Sequence, residues 1–338
     1  MNILAIDTSC DETSVAVTNG RRVLSNVVYS QVLLHKKWGG VVPSIAKRAH
    51  EERIDFVIQK ACKKFTDNID VIAVTQGPGL AIALEVGIAK AKELSLQFKK
   101  PLIAVNHMEG HLYSSFVQNS KGNPKRDFAF PILGFLISGS HTELVLWKDH
   151  LDYEVIGETL DDAAGEALDK GARMLGLGYR APVLETLARD VKNSDEFLFP
   201  RPMLRSDNLQ FSFSGLKTSL LYLLQKMSDE EKAKKIKELA SSYQEAVFDT
   251  LAFKLNKALK KTKCATVVAG GGVVVNQRFK SKMNTVVKEN NAKIFFPPYK
   301  YLTGDNAAMI GVAAYYKALK KNFVKDFQKF ERIPRLRL

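Results

Sequence analysis

NILAIDTSCDETSVAVTNG, residues 2–20, decides the fold. An apolar run, a small polar turn and a second run dense in β-branched residues make the pattern of a β-hairpin. PILGFLISGSHTELVLWKDH, residues 131–150, repeats it: apolar strand, Ser/Gly turn, apolar strand, polar close. After the first hairpin come a helical pattern in PSIAKRAHEERIDFVIQKACKKF (43–65), a strand in DVIAVTQGPG (70–79), a helix through VGIAKAKELSLQF (86–98) and a strand in PLIAVNH (101–107). Strands that alternate with helices after each hairpin predict two α/β domains. Each should have a mixed sheet, antiparallel where the hairpin lies and parallel where the crossovers return, with a cleft between the domains. Residues 186–265 read as mostly helical, with an amphipathic stretch at 229–261. TVVAGGGVVVN (266–276) reads as strand, glycine turn and helix start.

A chain of 338 residues, 46% hydrophobic and 25% charged, is too long for one ordinary core and too apolar to stay disordered. Fifty Lys plus Arg against thirty-six Asp plus Glu leave a formal charge of +14, which suits a polyanionic partner, although a solvated lysine-rich surface has the same composition. Cys10, Cys62 and Cys264 show no paired spacing, so neither a disulfide framework nor a zinc ribbon is indicated. No stretch approaches the eighteen apolar residues of a membrane span, and no secretory leader pattern opens the chain, so a cytoplasmic protein is expected.

His107 and His111 in NHMEGHLYSS (106–115) stand four residues apart. On a helix such a pair shares a face with Cβ atoms about 5–6 Å apart, close enough to hold one metal ion, although helix surface or capping explains the spacing equally well. Glu109 sits two residues from each, roughly 200° around the helix, and so points away from any ion they share. In a zinc peptidase the base directly follows the first histidine, so hydrolysis of that kind is disfavoured. A third ligand is needed, and Asp305 in TGDNAAMIGVAAYYKALKK (303–321) is a candidate. Either it or Asn306 could cap the following helix. Two histidines and one aspartate suit Fe(II) or Zn(II) and leave positions open for substrate oxygens.

The turn Ser138-Gly139-Ser140-His141-Thr142 offers backbone N–H groups and hydroxyls between two strands, a shape suited to phosphate. AGGGVVVN (269–276) lets backbone approach a nucleoside while a helix N-terminus faces an anion. Glu158, Asp161, Asp162, Glu166 and Asp169 crowd a turn and the helix after it. Asp169, on the face of Gly165, could reach a ribose hydroxyl.

IDTSCDETSVAV, GGVVPSIAKRAHEERI, GPGLAIALEVGIAKAK, VNHMEGH, SGSHTELV, GETLDDAAGEALDKGARMLGL, DNLQFSFSGLKT, GGGVVVNQRF and TGDNAAMI, in this order, resemble the TsaD family of tRNA threonylcarbamoyladenosine transferases in its bacterial form. The resemblance implies an actin-like (ASKHA, sugar-kinase type) fold of two duplicated RNase H-like α/β domains with the active site in the cleft. Residues 1–131, completed by a C-terminal helix 305–325, would form the first domain, and 132–304, with a helical insertion, the second. It implies transfer of a threonylcarbamoyl group from threonylcarbamoyl-AMP to N6 of the adenosine at position 37, beside the anticodon, of tRNAs that read ANN codons, with release of AMP. One divalent ion, Fe2+ or Zn2+ with Mg2+ as a further choice, would sit on His107, His111 and Asp305. Ser138, Gly139, Ser140, His141, Thr142, Asp169, Ala181, Glu185 and Asn276 would hold the adenylate, with Asp11 and Glu12 near the reaction centre as candidate bases. Implied partners are tRNA, a TsaB-like paralogue bound through the N-terminal domain and a TsaE-like ATPase. Lys36, Lys37, Lys47 and the C-terminal RIPRLRL are candidate tRNA contacts.

The chain departs from the family pattern in three places. Ser140 stands for a glycine of SGGHT, Arg180 and Ala181 replace a Tyr-Pro-Gly-Gly-Pro run, and Val274 and Val275 replace alanines. Rival readings are an ATPase or phosphotransferase of the same fold, a metallopeptidase, and a non-catalytic scaffold paralogue that lacks the metal residues.

Overall fold

The computed structural model describes residues 1–65, 68–178 and 181–338. It divides into two compact units, Met1–Asp127 with Pro297–Leu338, and Phe128–Phe296. Residues 297–304, expected with the second domain, therefore fold with the first.

In the first unit the opening hairpin is β1 (Asn2–Asp7) and β2 (Glu12–Asn19), antiparallel with Ile6 opposite Val15, and β3 (Arg22–Ser30) continues the meander. After a single-turn α1 (Val32–His35) come α2 (Pro43–Cys62), β4 (Val71–Gly77), α3 (Ala81–Phe98), β5 (Leu102–Asn106) and α4 (His107–Tyr113). The sheet order is β3-β2-β1-β4-β5, with β1, β4 and β5 parallel. Ile3, Leu4, Ala5 and Ile6 are all buried, as a central strand covered on both faces requires. Leu4 and Ile6 pack with Ile54 and Val57 of α2 and with Ile88, Ala91 and Leu94 of α3. Each such side chain contributes about 1.5–3 kcal/mol on burial.

The second unit repeats the order. β6 (Ile132–Ile137), β7 (Thr142–Asp149) and β8 (Asp152–Glu158) form the meander, followed by α5 (Ala164–Met174), α6 (Pro182–Asp190), α7 (Ser214–Lys226), α8 (Asp229–Lys234), α9 (Ile236–Thr262), β9 (Thr266–Gly270), α10 (Gln277–Glu289) and β10 (Lys293–Phe295). Its sheet runs β8-β7-β6-β9-β10, the same order as β3-β2-β1-β4-β5, with β6, β9 and β10 parallel. The expected helical stretch from 186 is interrupted: residues 191–213 carry no helix. Side-chain bonds hold them instead. The fully buried Lys254 of α9 donates to Ser206 Oγ at 2.8 Å and to the Asn208 carbonyl at 2.9 Å.

The chain then returns to the first unit for α11 (Ala307–Leu319), shorter than the expected 305–325 and lying on β1 and β2. Its buried Ala307, Ala308, Ala313 and Ala314 permit a close approach. At Gly311 a Cβ would come within 2.6 Å of Thr18 Oγ1. Among the described residues no helix is long and apolar enough to cross a membrane.

Candidate active site

The C-terminal ends of β1 and β5 and the start of α11 build one cluster. Asn106 ends β5 and accepts from the N–H groups of Met108 and Glu109, a side-chain cap that starts α4 at His107. That start puts His107 and His111 one turn apart with ring centroids 4.7 Å from each other. Asn306, not Asp305, caps α11 by accepting from Met309 N. Ser14 of β2 accepts from Ala307 N at 2.8 Å and fixes the helix start, which leaves the Asp305 carboxylate for the histidines. His107 Nε2 and His111 Nε2 each lie 3.3 Å from Asp305 Oδ1. Among the described residues these three form the one set whose ligand atoms lie within 4.8 Å of one another.

Two ligands held about 2.0–2.1 Å from one ion at tetrahedral or octahedral angles stand about 2.8–3.4 Å apart, so the two His–Asp separations and the donor types are those that a divalent ion takes. Burial works against charge on His107, but Asp305 and Asp7 outweigh it and hold its pKa well above the ordinary imidazole value. Burial pushes His111 down against the pull of Asp305. Burial opposes ionisation of Asp305 too, yet the two histidines hold it far below the carboxylate range. Glu109 turns away as its spacing predicts: its Oε2 is 3.2 Å from Lys317 Nζ of α11.

Asp11 ends the turn after β1 and Glu12 opens β2, beside the triad. Burial, Asp305 and Asp11 push Glu12 up to about 9, with its carboxyl bonded to Asp11, so Glu12 holds a proton at neutral pH. Ser30 donates to Glu12 Oε1 at 3.0 Å. Burial and the neighbouring Asp11, Asp305 and Glu12 push the Cys10 thiol up and keep it protonated. His50 of α2 holds this turn: its Nε2 meets the Cys10 carbonyl at 3.0 Å, and its Nδ1 meets Thr13 Oγ1 at 2.7 Å. The carbonyl can only accept, so His50 carries its proton on Nε2 and takes the Thr13 hydroxyl on Nδ1.

The second cluster lies in the other unit, at the C-terminal ends of β6 and β9. Ser138 Oγ accepts from Ser140 N and His141 N, and Thr142 Oγ1 accepts from Ala164 N, so part of the turn's hydrogen bonding closes on itself. Gly139 and Ser140 are exposed. Gly165, in the first turn of α5, packs on the Ser138 carbonyl, and at Gly271, φ 99°, a Cβ would lie 2.4 Å from the Ile137 carbonyl oxygen, so both segments need glycine to approach the turn. Asp169 Oδ1 accepts from Ala181 N at 2.6 Å and Glu185 Oε1 from Gln277 N at 2.8 Å. Asn276 is buried, capping α10 and donating to Gln244. Ala181 has right-handed helical backbone, φ −57°, so replacing glycine there costs no strain. Arg180 lies outside the described residues.

Sequence reasoning missed Asp7, Ser9 and His50. Ser9 Oγ is 3.1 Å and Asp7 Oδ2 3.5 Å from His107 Nδ1, so these two orient the His107 ring. The polar IDTS at the end of a buried strand was the available signal.

Two units of one sheet plan, with the candidate residues at the carboxyl ends of the strands, define an actin-like fold. Solved structures agree. HypF of T. kodakarensis superposes with a TM-score of 0.65 at 16% identity over 96% of this chain and 49% of that one. The activator of the 2-hydroxyisocaproyl-CoA dehydratase from Clostridium difficile does so at 0.53 and 14% over 96% and 99%. A profile of the TsaD family, tRNA N6-adenosine threonylcarbamoyltransferase, matches residues 22–312. Relatives of that name are 45% identical in Kosmotoga olearia over 96% of this chain and 95% of theirs, and 45% identical in Thermosipho africanus over the full length of both. The chain belongs to the TsaD family, and it is a transferase acting on tRNA.

Proposed function

We propose that the chain moves a threonylcarbamoyl group from threonylcarbamoyl-AMP to N6 of adenosine 37 in tRNAs that read ANN codons and releases AMP, with one divalent ion, Fe2+, Zn2+ or Mg2+, on His107, His111 and Asp305. The carrying observation is the convergence of two imidazole nitrogens on one carboxylate oxygen, each at 3.3 Å. When bound, the ion supplies a Lewis acid for the donor's oxygens.

The donor is a mixed anhydride and already activated, so the protein's task is to orient it and stabilise the leaving phosphate. Exposed Gly139 and Ser140, with His141, Thr142, Asp169, Ala181, Glu185 and Asn276 around them, are assigned to the AMP moiety. Adenine N6 is a weak nucleophile because its lone pair is delocalised, and loss of a proton as the new bond forms assists it. The Asp11–Glu12 pair is assigned to that proton, with Glu12 holding one already and Asp11 the acceptor.

Family resemblance, with Phe56 of α2 and Leu96 of α3 exposed, supports a TsaB-like paralogue docked on the first unit, and resemblance alone a TsaE-like ATPase. The reading places the chain in the cytoplasm with its tRNA. Its test is incubation of the metal-loaded chain with threonine, bicarbonate, ATP, an adenylate-forming enzyme, the partner proteins and unmodified tRNA, followed by nucleoside analysis. The modified adenosine should form and should vanish with His111→Ala. No product from the intact chain, or undiminished product from the variant, counts against the proposal.

A further inference from the structure

Between Glu12 and Glu51 the chain has no acidic residue and six basic ones, Arg21, Arg22, Lys36, Lys37, Lys47 and Arg48. Within this stretch residues 31–42 form an exposed tip on a buried root. At the root, Gln31 N donates to the Asp11 carbonyl at 2.9 Å, so the segment springs directly from the candidate reaction centre. His35, buried, meets Gln31 Oε1 through Nε2 at 3.1 Å and accepts from Val42 N on Nδ1 at 3.3 Å, which closes the segment into a fixed loop. The tip is the reverse of the root: Leu33 is 83% and Trp38 58% exposed, and Lys37 Nζ lies 5.2 Å from the Trp38 ring centre.

A large aromatic face held in water by hydrogen-bonded anchors, among cations and with no anion on the stretch, suits a chain of phosphates carrying unstacked bases. A nucleobase must leave its stack before its exocyclic amine can react, and its neighbours are then free to stack elsewhere. We infer that Lys36–Trp38 is a docking surface for the single-stranded loop of the tRNA substrate, with Trp38 stacking on a base next to the reacting adenosine and Lys36 and Lys37 pairing with its phosphates. The inference rests on the tRNA reading above.

Trp38 and the fully buried Trp147 are the two tryptophans, so acrylamide quenching of fluorescence reports Trp38 in the intact chain. Titration with an unmodified tRNA and with its isolated anticodon stem-loop should protect the fluorophore. A duplex RNA of equal length should protect it poorly. Trp38→Ala should weaken stem-loop binding about tenfold, with Trp38→Phe restoring most of it. Lys36→Ala with Lys37→Ala should make the slope of log affinity against log salt shallower by about 1.4. The inference is overturned if tRNA binds while Trp38 stays open to quencher. It is also overturned if phosphatidylglycerol vesicles but not RNA protect it, or if protection follows dimerisation of the chain without RNA. Transfer activity that survives such a result leaves the tRNA reading intact; absence of any tRNA binding removes both.

Discussion

The Ser9 hydroxyl lies 3.1 Å from Nδ1 of His107, joining the turn after β1 to the first residue of α4. With Asp7 also 3.5 Å from that nitrogen, one proton of His107 is held on Nδ1, so Nε2, which faces Asp305, is the nitrogen open to a candidate ion once its own proton is displaced. The same turn carries Asp11 and leads into Glu12, so one short loop both orients the His107 ring and presents the candidate acids.

Ser9→Ala removes the bond without touching a ligand atom. Affinity for Zn2+ or Fe2+ should fall by about 10–100-fold with one site per chain retained. Competition titration against a chromophoric chelator measures this, and unchanged affinity would separate Ser9 from the metal site.

The raised pKa of His107 means that, without an ion, the ring holds a second proton near neutral pH, and an ion must displace it. Metal affinity should therefore rise with pH, up to about tenfold per unit, until the His107 pKa is passed. Calorimetry in buffers of different ionisation heat should show about one proton released per ion at pH 7. Affinity flat from pH 6 to 8 would contradict the charge assignment.

The hairpins and the two-unit plan were legible because their grammar is local: an apolar run, a turn and a second run occur within twenty residues. His107 and His111 were legible as a pair for the same reason, one helical turn apart. Asp305 was not distinguishable from Asn306 as a cap, since both residue types cap helices, and the structure decides between them through the bond from Met309 N to Asn306 Oδ1. Ser9 and Asp7 were hidden because their contact with His107 depends on β1 and β5 flanking β4 in one parallel sheet. RIPRLRL, read from the sequence as a candidate tRNA contact, is tied to the first unit: Ile333 N donates to the Gln76 carbonyl and Asn106 Nδ2 to the Arg337 carbonyl. On the tail's side those bonds use backbone groups, which carry no sequence signal.

Glu109, 3% exposed, and Lys317 form a buried ion pair between α4 and α11. Glu109→Gln leaves Lys317 without its counter-charge and should lower stability by roughly 1–3 kcal/mol. Metal content and transfer per folded molecule should remain within about twofold, since the carboxylate points away from the ligands. A chain that folds as well as before but has lost activity would restore Glu109 as a chemical group.

Gly77, at the end of β4, lies under the C-terminal tail: a Cβ there would stand 1.9 Å from the Ile333 carbonyl oxygen. The neighbouring bonds, Gln76 Nε2 to the Glu331 carbonyl at 2.8 Å and Gly79 N to the Pro334 carbonyl at 3.1 Å, fix the tail too firmly to yield without breaking. Gly77→Ala should therefore expel residues 331–338 and cost roughly 1–3 kcal/mol. Limited trypsin digestion should cut faster after Arg332 and Arg335 than in the parent chain. Because Asn106 donates to Arg337 while it caps the helix of His107 and His111, metal affinity should drop along with tail protection. Faster cleavage with unchanged metal affinity would show that the cap holds without the tail, and unchanged cleavage would show that the tail does not rest on Gly77.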